Sequence, residues 1–301
     1  MMQRLTDVLY RRSGLFTLLL LIPPLAWIGI VYIGALLALL LQSFYHLDDF
    51  SGTVIHEFTL STYAELFEPA NLLTILRTVT MAAIVTLASI AVSFPIAYFA
   101  ARYARGKAKA LFYLAVMMPL WSSYLVKVYA WKLILAKEGI ITWVAGALHL
   151  NWLLDNILAT PIIGGSSLSF SYIGTFLVFL YIWLPYMILP MQASLERVPK
   201  SYIEAAADLG ANSKQTFRTV IMPLALPGVI AGSIFTFSLT LGDYIIPQII
   251  GNSRPFIGQT VYTLQGTAGD IPLAAAFTVV PMLIMGVYLS LAKRAGAFDA
   301  L

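Results

Sequence analysis

The chain has 301 residues, 60% of them apolar and only 11% charged, with a mean hydropathy of +0.85; this excludes an ordinary soluble domain and makes the bilayer its main solvent. It contains no cysteine, so disulfides and thiolate metal centres are excluded. The net charge of +4 is not gathered into the basic stripe that nucleic-acid binding requires.

Residues 1–14 are polar and basic, with Arg4, Arg11 and Arg12. The apolar run from Leu15 to Leu41 is too long for the roughly 7–15-residue core of a signal peptide, so it predicts a first, tilted membrane helix carrying Pro23 and Pro24. A polar connector over 42–71 holds Asp48, Asp49, Glu57, Glu65, Glu68, His46 and His56 at spacings that match no metal-ligand pattern. A second span is predicted at about 72–101, with Arg77 near its start and Pro95 near its end, followed by Arg102, Arg105, Lys107 and Lys109.

A third span is placed at 111–135; past Val126 it alternates Lys127 and Lys132 with aromatic residues, an interfacial extension whose lysines snorkel. Residues 139–150 are apolar but too few to cross and are assigned to the interface. A loop runs on to Ser171. Further spans follow at 172–193, containing Pro185 and Pro190, at 224–246 and at 273–292. Trp121, Trp131, Trp143 and Trp152, with Tyr124 and Tyr129, fall near one interface and suggest an aromatic belt.

Six spans place both termini on one side. With the N-terminus inside, 13 of the 18 Lys and Arg and five of the 14 acids are internal, leaving the inner face at +8 and the outer at −4. The positive-inside rule therefore makes the terminal arm 1–14 and the loop 196–223 cytoplasmic.

That loop carries the most distinctive stretch of the chain. Ser201 with Glu204 three residues on reads as a capping box, and Gly210 as a helix stop. Ile203, Ala206 and Ala207 share one side, while Glu204 and Asp208 share another. A helix this short is below the roughly 12–15 residues needed for marginal stability alone, so it either docks on a partner or lies on the membrane as an amphipathic linker. Gly106-Lys107 lacks the upstream glycine and the following hydroxyl residue of a phosphate loop. The chain also shows neither the paired intramembrane acids nor the internal repeat typical of an ion-coupled transporter, and His46, His56 and His149 all fall in outer segments, away from any buried enzyme centre. Asp243 is the one acid in or at the edge of a span. It can attract an organic cation beside Tyr244, mark the end of the fifth span, or pair with Arg254.

Glu204-Ala205-Ala206, Gly210 six residues after the glutamate, and Pro223 together resemble the EAA loop of ABC importer permeases, with Val220 and Met222 where that family prefers isoleucine and leucine. Gly242-Asp243-Tyr244-Ile245-Ile246-Pro247-Gln248 resembles an element of the spermidine/putrescine branch, and the run Ala274 to Pro281 is similar to it as well. The resemblance implies an all-α polytopic protein with six transmembrane helices, a first helix plus a five-helix core, forming one permease domain over 15–301 in the bacterial inner membrane. It implies a second permease subunit, often a different chain, two cytoplasmic ATPases and an extracytoplasmic substrate-binding protein. ATP and Mg would be bound by those ATPases, and this chain would be a non-catalytic subunit without a cofactor of its own. Coupling to the ATPases would fall to Ser201, Ile203, Glu204, Ala205, Ala206, Asp208, Leu209 and Gly210, and the substrate path would pass Asp243 and Tyr244. The implied cargo is a polyamine; related permeases carry iron, sulfate, thiamine or amino-acid-like solutes.

Overall fold

Within hydrocarbon no water bonds to the backbone, so each long apolar run satisfies its N–H and C=O groups internally as a helix. The computed structural model describes residues 13–48 and 50–294. The arm with Arg4, Arg11 and Arg12, together with Asp49 and the tail beyond Arg294, lies outside the described residues. The first span comprises α1 (Ser13–Trp27), a π-helical segment (Ile28–Ile33) and α2 (Gly34–Gln42), and it continues through Pro23 and Pro24. None of its most apolar window is buried against the rest of the chain. It joins the core mainly at its far end, where the Ser43 and Tyr63 hydroxyls are 2.6 Å apart.

The connector that follows is more ordered than a plain loop. His46–Leu47 (β1) pairs antiparallel with Val54–Ile55 (β2), and α3 (Ser61–Glu65) leads into α4 (Pro69–Arg102). Pro69 begins α4 at the position where a missing N–H costs nothing.

The third span differs from the single helix predicted at 111–135. It is a pair, α5 (Gly106–Trp121) and α6 (Tyr124–Ile134), bent by 96°. Pro119 has no N–H to give, and Ser122 is extended, so the ladder stops there. The freed Pro119 carbonyl accepts from the Ser122 hydroxyl and from the Lys127 ammonium, each at 2.9 Å. Lys127 is therefore a cation capping a helix C-terminus rather than a snorkelling lysine.

The segment expected at the interface forms α7 (Ile140–Ala147), and the run expected as loop after it forms a further helix, α8 (Asn151–Ala159). α9 (Tyr172–Arg197) extends beyond its expected end and α15 (Ile271–Arg294) covers the last span. The fifth span starts earlier than expected: α11 (Ser213–Thr216) runs through a π-helical turn (Phe217–Ile221) into α12 (Met222–Gly242). The loop predicted at 196–223 thus shrinks to the residues around α10 (Lys200–Asp208). Among the described residues, five helices are long and apolar enough to cross a membrane, and the bent pair makes a sixth.

The core sits where α4, α9 and α12 pack on one another. α12 approaches α9 closely because Gly228 and Gly232 face it at i, i+4 spacing: a Cβ on Gly228 would lie 2.5 Å from the Pro190 carbonyl oxygen, and one on Gly232 would lie 3.0 Å from Met187 Cα. The Ser194 hydroxyl donates to the Leu224 carbonyl across the same contact at 3.1 Å.

At the end of the bundle away from α10, two bonds fix the segment before α14 (Ile257–Thr263) onto α4. The Arg77 guanidinium donates to the Pro255 carbonyl at 2.6 Å, and the buried Thr78 hydroxyl accepts from the Ile257 N–H at 3.0 Å. Thr78→Val keeps the shape but leaves that N–H unpaired, which costs about 1–3 kcal/mol. Detergent-solubilised Thr78→Val should melt at lower temperature than Thr78→Ser, and equal melting would show that the Ile257 N–H finds another acceptor.

Candidate functional site

Two separate regions carry the residues singled out in the sequence, one at each end of α12. At one end, α10 sits between α9 and α11 in a stretch that begins with Pro199, whose extended backbone (ψ 141°) is the N-cap. This corrects the predicted capping box. Ser201 is already inside the helix, and a cap must stand outside it with a non-helical backbone, so no side chain caps the N-terminus of α10. The box forms one element later, where the Asn212 side chain accepts from the Gln215 N–H and the Gln215 side chain accepts from the Asn212 N–H, both at 2.9 Å.

The C-terminus of α10 closes as a Schellman motif. Ala211 N–H bonds to the Ala206 carbonyl and Gly210 N–H to the Ala207 carbonyl, both at 2.9 Å, with Gly210 at φ +81°. Nothing lies within 4 Å of a Cβ placed on Gly210, so the glycine is required by conformation and not by space.

Ile203 anchors the helix. It packs on a cluster that includes Leu195 and Ile221 beside Tyr98 and Phe217. Phe94 meets Phe217 edge-on at 5.5 Å and stacks with Tyr98 at 6.3 Å, so Ile203 of α10, the end of α4 and the π-helical turn before α12 meet in one cluster. Ala206 is half-buried; Ala207 is exposed at a groove of about 290 Å³, so the predicted inner side is narrower than three residues. The outer face presents Ser201, Tyr202, Glu204, Ala205, Asp208 and Leu209, all exposed, and Leu209 at 88%. Tyr202 was not singled out in the sequence, although its place one residue before Ile203 already puts it off the anchored side. Beside α10, Glu196 accepts from Lys109 (2.9 Å), Tyr113 (3.0 Å) and Gln192 (3.1 Å), which ties α5 to α9 at this end.

At the other end, Asp243 follows the last residue of α12, one residue before the N-cap Tyr244 of α13 (Ile245–Ile249), and its Oδ1 accepts from the Ile246 N–H in the first turn of α13 at 2.9 Å. Its Oδ2 accepts from the Tyr124 hydroxyl. The pairing with Arg254 considered from sequence does not occur, because the one salt bridge among the described residues is Lys109–Glu196. Asp243 therefore stands without a cationic partner among the described residues.

Aromatic rings gather around it. Tyr124 stacks on the buried Trp183 at 5.9 Å, Trp183 meets Tyr186 at 5.8 Å, and Tyr244 stacks on Tyr262 at 5.0 Å. Trp183, Asp243 and Tyr244 line a pocket of about 320 Å³. Gly258 permits α14 to rest on this turn, since its Cβ would lie 2.7 Å from the Asp243 carbonyl oxygen. The belt reading fails for two residues: Tyr124 bonds to Asp243 and stacks on Trp183, and Trp131 packs on Tyr181 at 5.1 Å. Trp121, Trp143, Trp152 and Tyr129 remain exposed as a belt requires. Trp183 was missed in sequence, and its neighbour Pro185 drew attention only as a helix irregularity.

Residues 93–295, which include α10, Asp243 and the whole α9–α12 contact, match the family described as binding-protein-dependent transport system inner membrane component. The chain belongs to that family. Over 298 residues it is 55% identical to the inner membrane ABC transporter permease protein YdcU of Escherichia coli strain K12, covering 99% of this chain and 95% of that one. It is 30% identical over 239 residues to the spermidine/putrescine transport system permease protein PotB of the same organism, covering 79% of this chain and 82% of that one. In fold it is similar to a solved bacterial ABC transporter involved in the import of the polysaccharide alginate, with a TM-score of 0.70 at 15% identity over 97% of this chain and 99% of that one. It is thus an ABC transporter permease subunit, multi-pass in the membrane, with the type I importer permease fold. Membership gives α10 its context, because in this family of transport components the membrane subunit is one part of a larger assembly.

Proposed function

We propose that this permease imports a small organic cation of the polyamine class across the bacterial inner membrane, driven by two partner ATPases that dock on α10. The observation that carries the coupling is the face of α10: an exposed tyrosine and leucine flank Glu204 and Asp208 on a helix held by Ile203 at one side and by the Gly210 turn at its end. Exposed apolar groups on a short helix suit insertion into a partner's groove, and the carboxylates suit basic groups at its rim. The ATPases supply ATP and Mg; this chain supplies the path and the lever, paired with a second permease subunit and fed by an extracytoplasmic binding protein. On this reading α10 and both termini are cytoplasmic, and Asp243 is at the outer end of the fifth span.

Similarity to PotB supports the polyamine class. The more similar YdcU carries no cargo in its name, which leaves iron, sulfate, thiamine or an amino-acid-like solute as the second reading. Two measurements separate the layers. The tagged permease purified from its own organism should bring down an ATPase, and Glu204→Lys should weaken that association by at least about tenfold by replacing attraction with repulsion. Mass spectrometry of the ligand held by the cognate binding protein should return a di- or polyamine; another solute would overturn the cargo, and purified chain moving solute down an ion gradient without ATPase would overturn the coupling.

A further inference from the structure

We propose that Asp243, walled by Trp183 and Tyr244, is a binding subsite for a protonated primary amine, and that Tyr124 holds it shut in the absence of cargo. The proposal deepens the importer reading and rests on it for the direction of traffic. The site itself rests on geometry.

A carboxylate at the edge of a membrane span is costly unless something compensates it. Here the compensation is incomplete: the carboxylate is held by the neutral N–H groups of Ile246 and Ile245 and by a neutral hydroxyl, and no basic side chain among the described residues reaches it. The missing component is positive charge. The surrounding rings supply the rest of an amine's requirements, because the faces of Trp and Tyr attract an alkylammonium while the aliphatic chain is covered. The pocket of about 320 Å³ is at the small end of the roughly 300–1,000 Å³ usual for small ligands, which suits a short aliphatic chain better than a saccharide.

Tyr124 is the moving part. It opens α6 immediately beyond the 96° break, where Ser122 is extended and Ser123 is also non-helical, so no helical ladder joins the two halves. Its hydroxyl occupies the Asp243 oxygen that an incoming ammonium would take. An ammonium brings to the carboxylate the opposite charge that the neutral hydroxyl lacks, so the bond it makes there is an ion pair and the stronger of the two. Arrival of cargo would thus release α6 from the end of α12, the same helix whose other end is joined to α10 through Phe217 and Ile203.

The test is equilibrium dialysis of radiolabelled putrescine against the permease–ATPase complex in nanodiscs, without binding protein. Saturable binding is expected, competed by other diamines and not by 1,4-butanediol. Asp243→Asn keeps an acceptor for the Ile246 N–H and for Tyr124 but removes the charge, and should weaken binding by at least about tenfold. Asp243→Glu should retain most of it. Tyr124→Phe keeps the ring on Trp183 and removes the competitor, so binding should tighten several-fold. No putrescine bound by wild type, equal binding by Asp243→Asn, or equal competition by butanediol overturns the site; unchanged affinity in Tyr124→Phe overturns the latch. ATP-driven uptake separates this from the importer reading. Binding without uptake of amines defeats the polyamine cargo and leaves the site, whereas uptake with binding indifferent to Asp243→Asn defeats the site and leaves the cargo.

Discussion

Gly210→Val should reduce ATP-driven uptake by at least about tenfold while the protein remains folded in the membrane. Gly210 is at φ +81°, in the left-handed region, and its Cβ direction is empty. A side chain there meets no clash, so the whole penalty is conformational: about 1–2 kcal/mol for an ordinary residue, more when the Cβ is branched. The chain escapes it by leaving the left-handed turn, which breaks the two bonds that close α10 onto Ala206 and Ala207. Ile203 can still pack, but Asp208 and Leu209 lose their fixed direction, and on the proposed coupling role the helix then no longer presents them to the ATPase. Because only the end of a solvent-facing helix changes, thermal stability of the bundle should fall little. Gly210→Asn, which tolerates the left-handed region, should keep much of the uptake. Uptake by Gly210→Val at the wild-type rate would mean that the turn is not needed for coupling.

Gly228→Leu should act in the opposite manner, on the fold itself. The added Cβ alone would lie 2.4 Å from Ser194 Cβ and 2.5 Å from the Pro190 carbonyl oxygen. The second of these is helix backbone and cannot rotate aside. α9 and α12 must therefore move apart at the tightest contact of the core, losing the fit of Met187, Met191 and Val229. Overpacking a close contact costs about 1–3 kcal/mol for a methylene or two, and a whole leucine side chain against backbone exceeds that range. Folded protein recovered by size exclusion should fall to a small fraction of wild type. Gly286→Ala is the matched control: nothing lies within 4 Å of its Cβ, and in a helix interior alanine is favoured over glycine by about 1 kcal/mol. Equal recovery of Gly228→Leu and Gly286→Ala would refute the close-contact role of Gly228.

Much of the architecture was readable because lipid permits so few backbone solutions. Runs such as Leu15 to Leu41 had to be helices whatever packed on them. α10 was also readable, since Gly210 marks its end by a backbone requirement that only the local sequence has to meet. Its beginning was misread for a physical reason. Ser201 and Asn212 both stand three residues before a Glu or Gln, yet only Asn212 lies outside a helix, because Pro199 had already started α10 ahead of Ser201.

The bend in the third span was harder to foresee. Pro119 signals an irregularity, but the break itself comes where Ser122 leaves the helix, and the Pro119 carbonyl left free by that ending is satisfied by Lys127 from the far side of the break. The pocket around Asp243 was half visible. The acid stood out by its cost, while Tyr124, 119 residues away, looked like any interfacial aromatic until the fold placed it against the carboxylate.

The claim at the centre is that α10 meets an ATPase, and the absence of cysteine allows it to be measured on single-cysteine variants. Leu209→Cys, treated in membranes with a thiol–amine cross-linker, should give one adduct with an ATPase subunit whose yield changes when ATP is added. Leu20→Cys, equally exposed in kind but on the bilayer-facing first span, should give none. An ATPase adduct absent from Leu209→Cys, or formed equally by both variants, would contradict the assignment of α10 as the coupling helix.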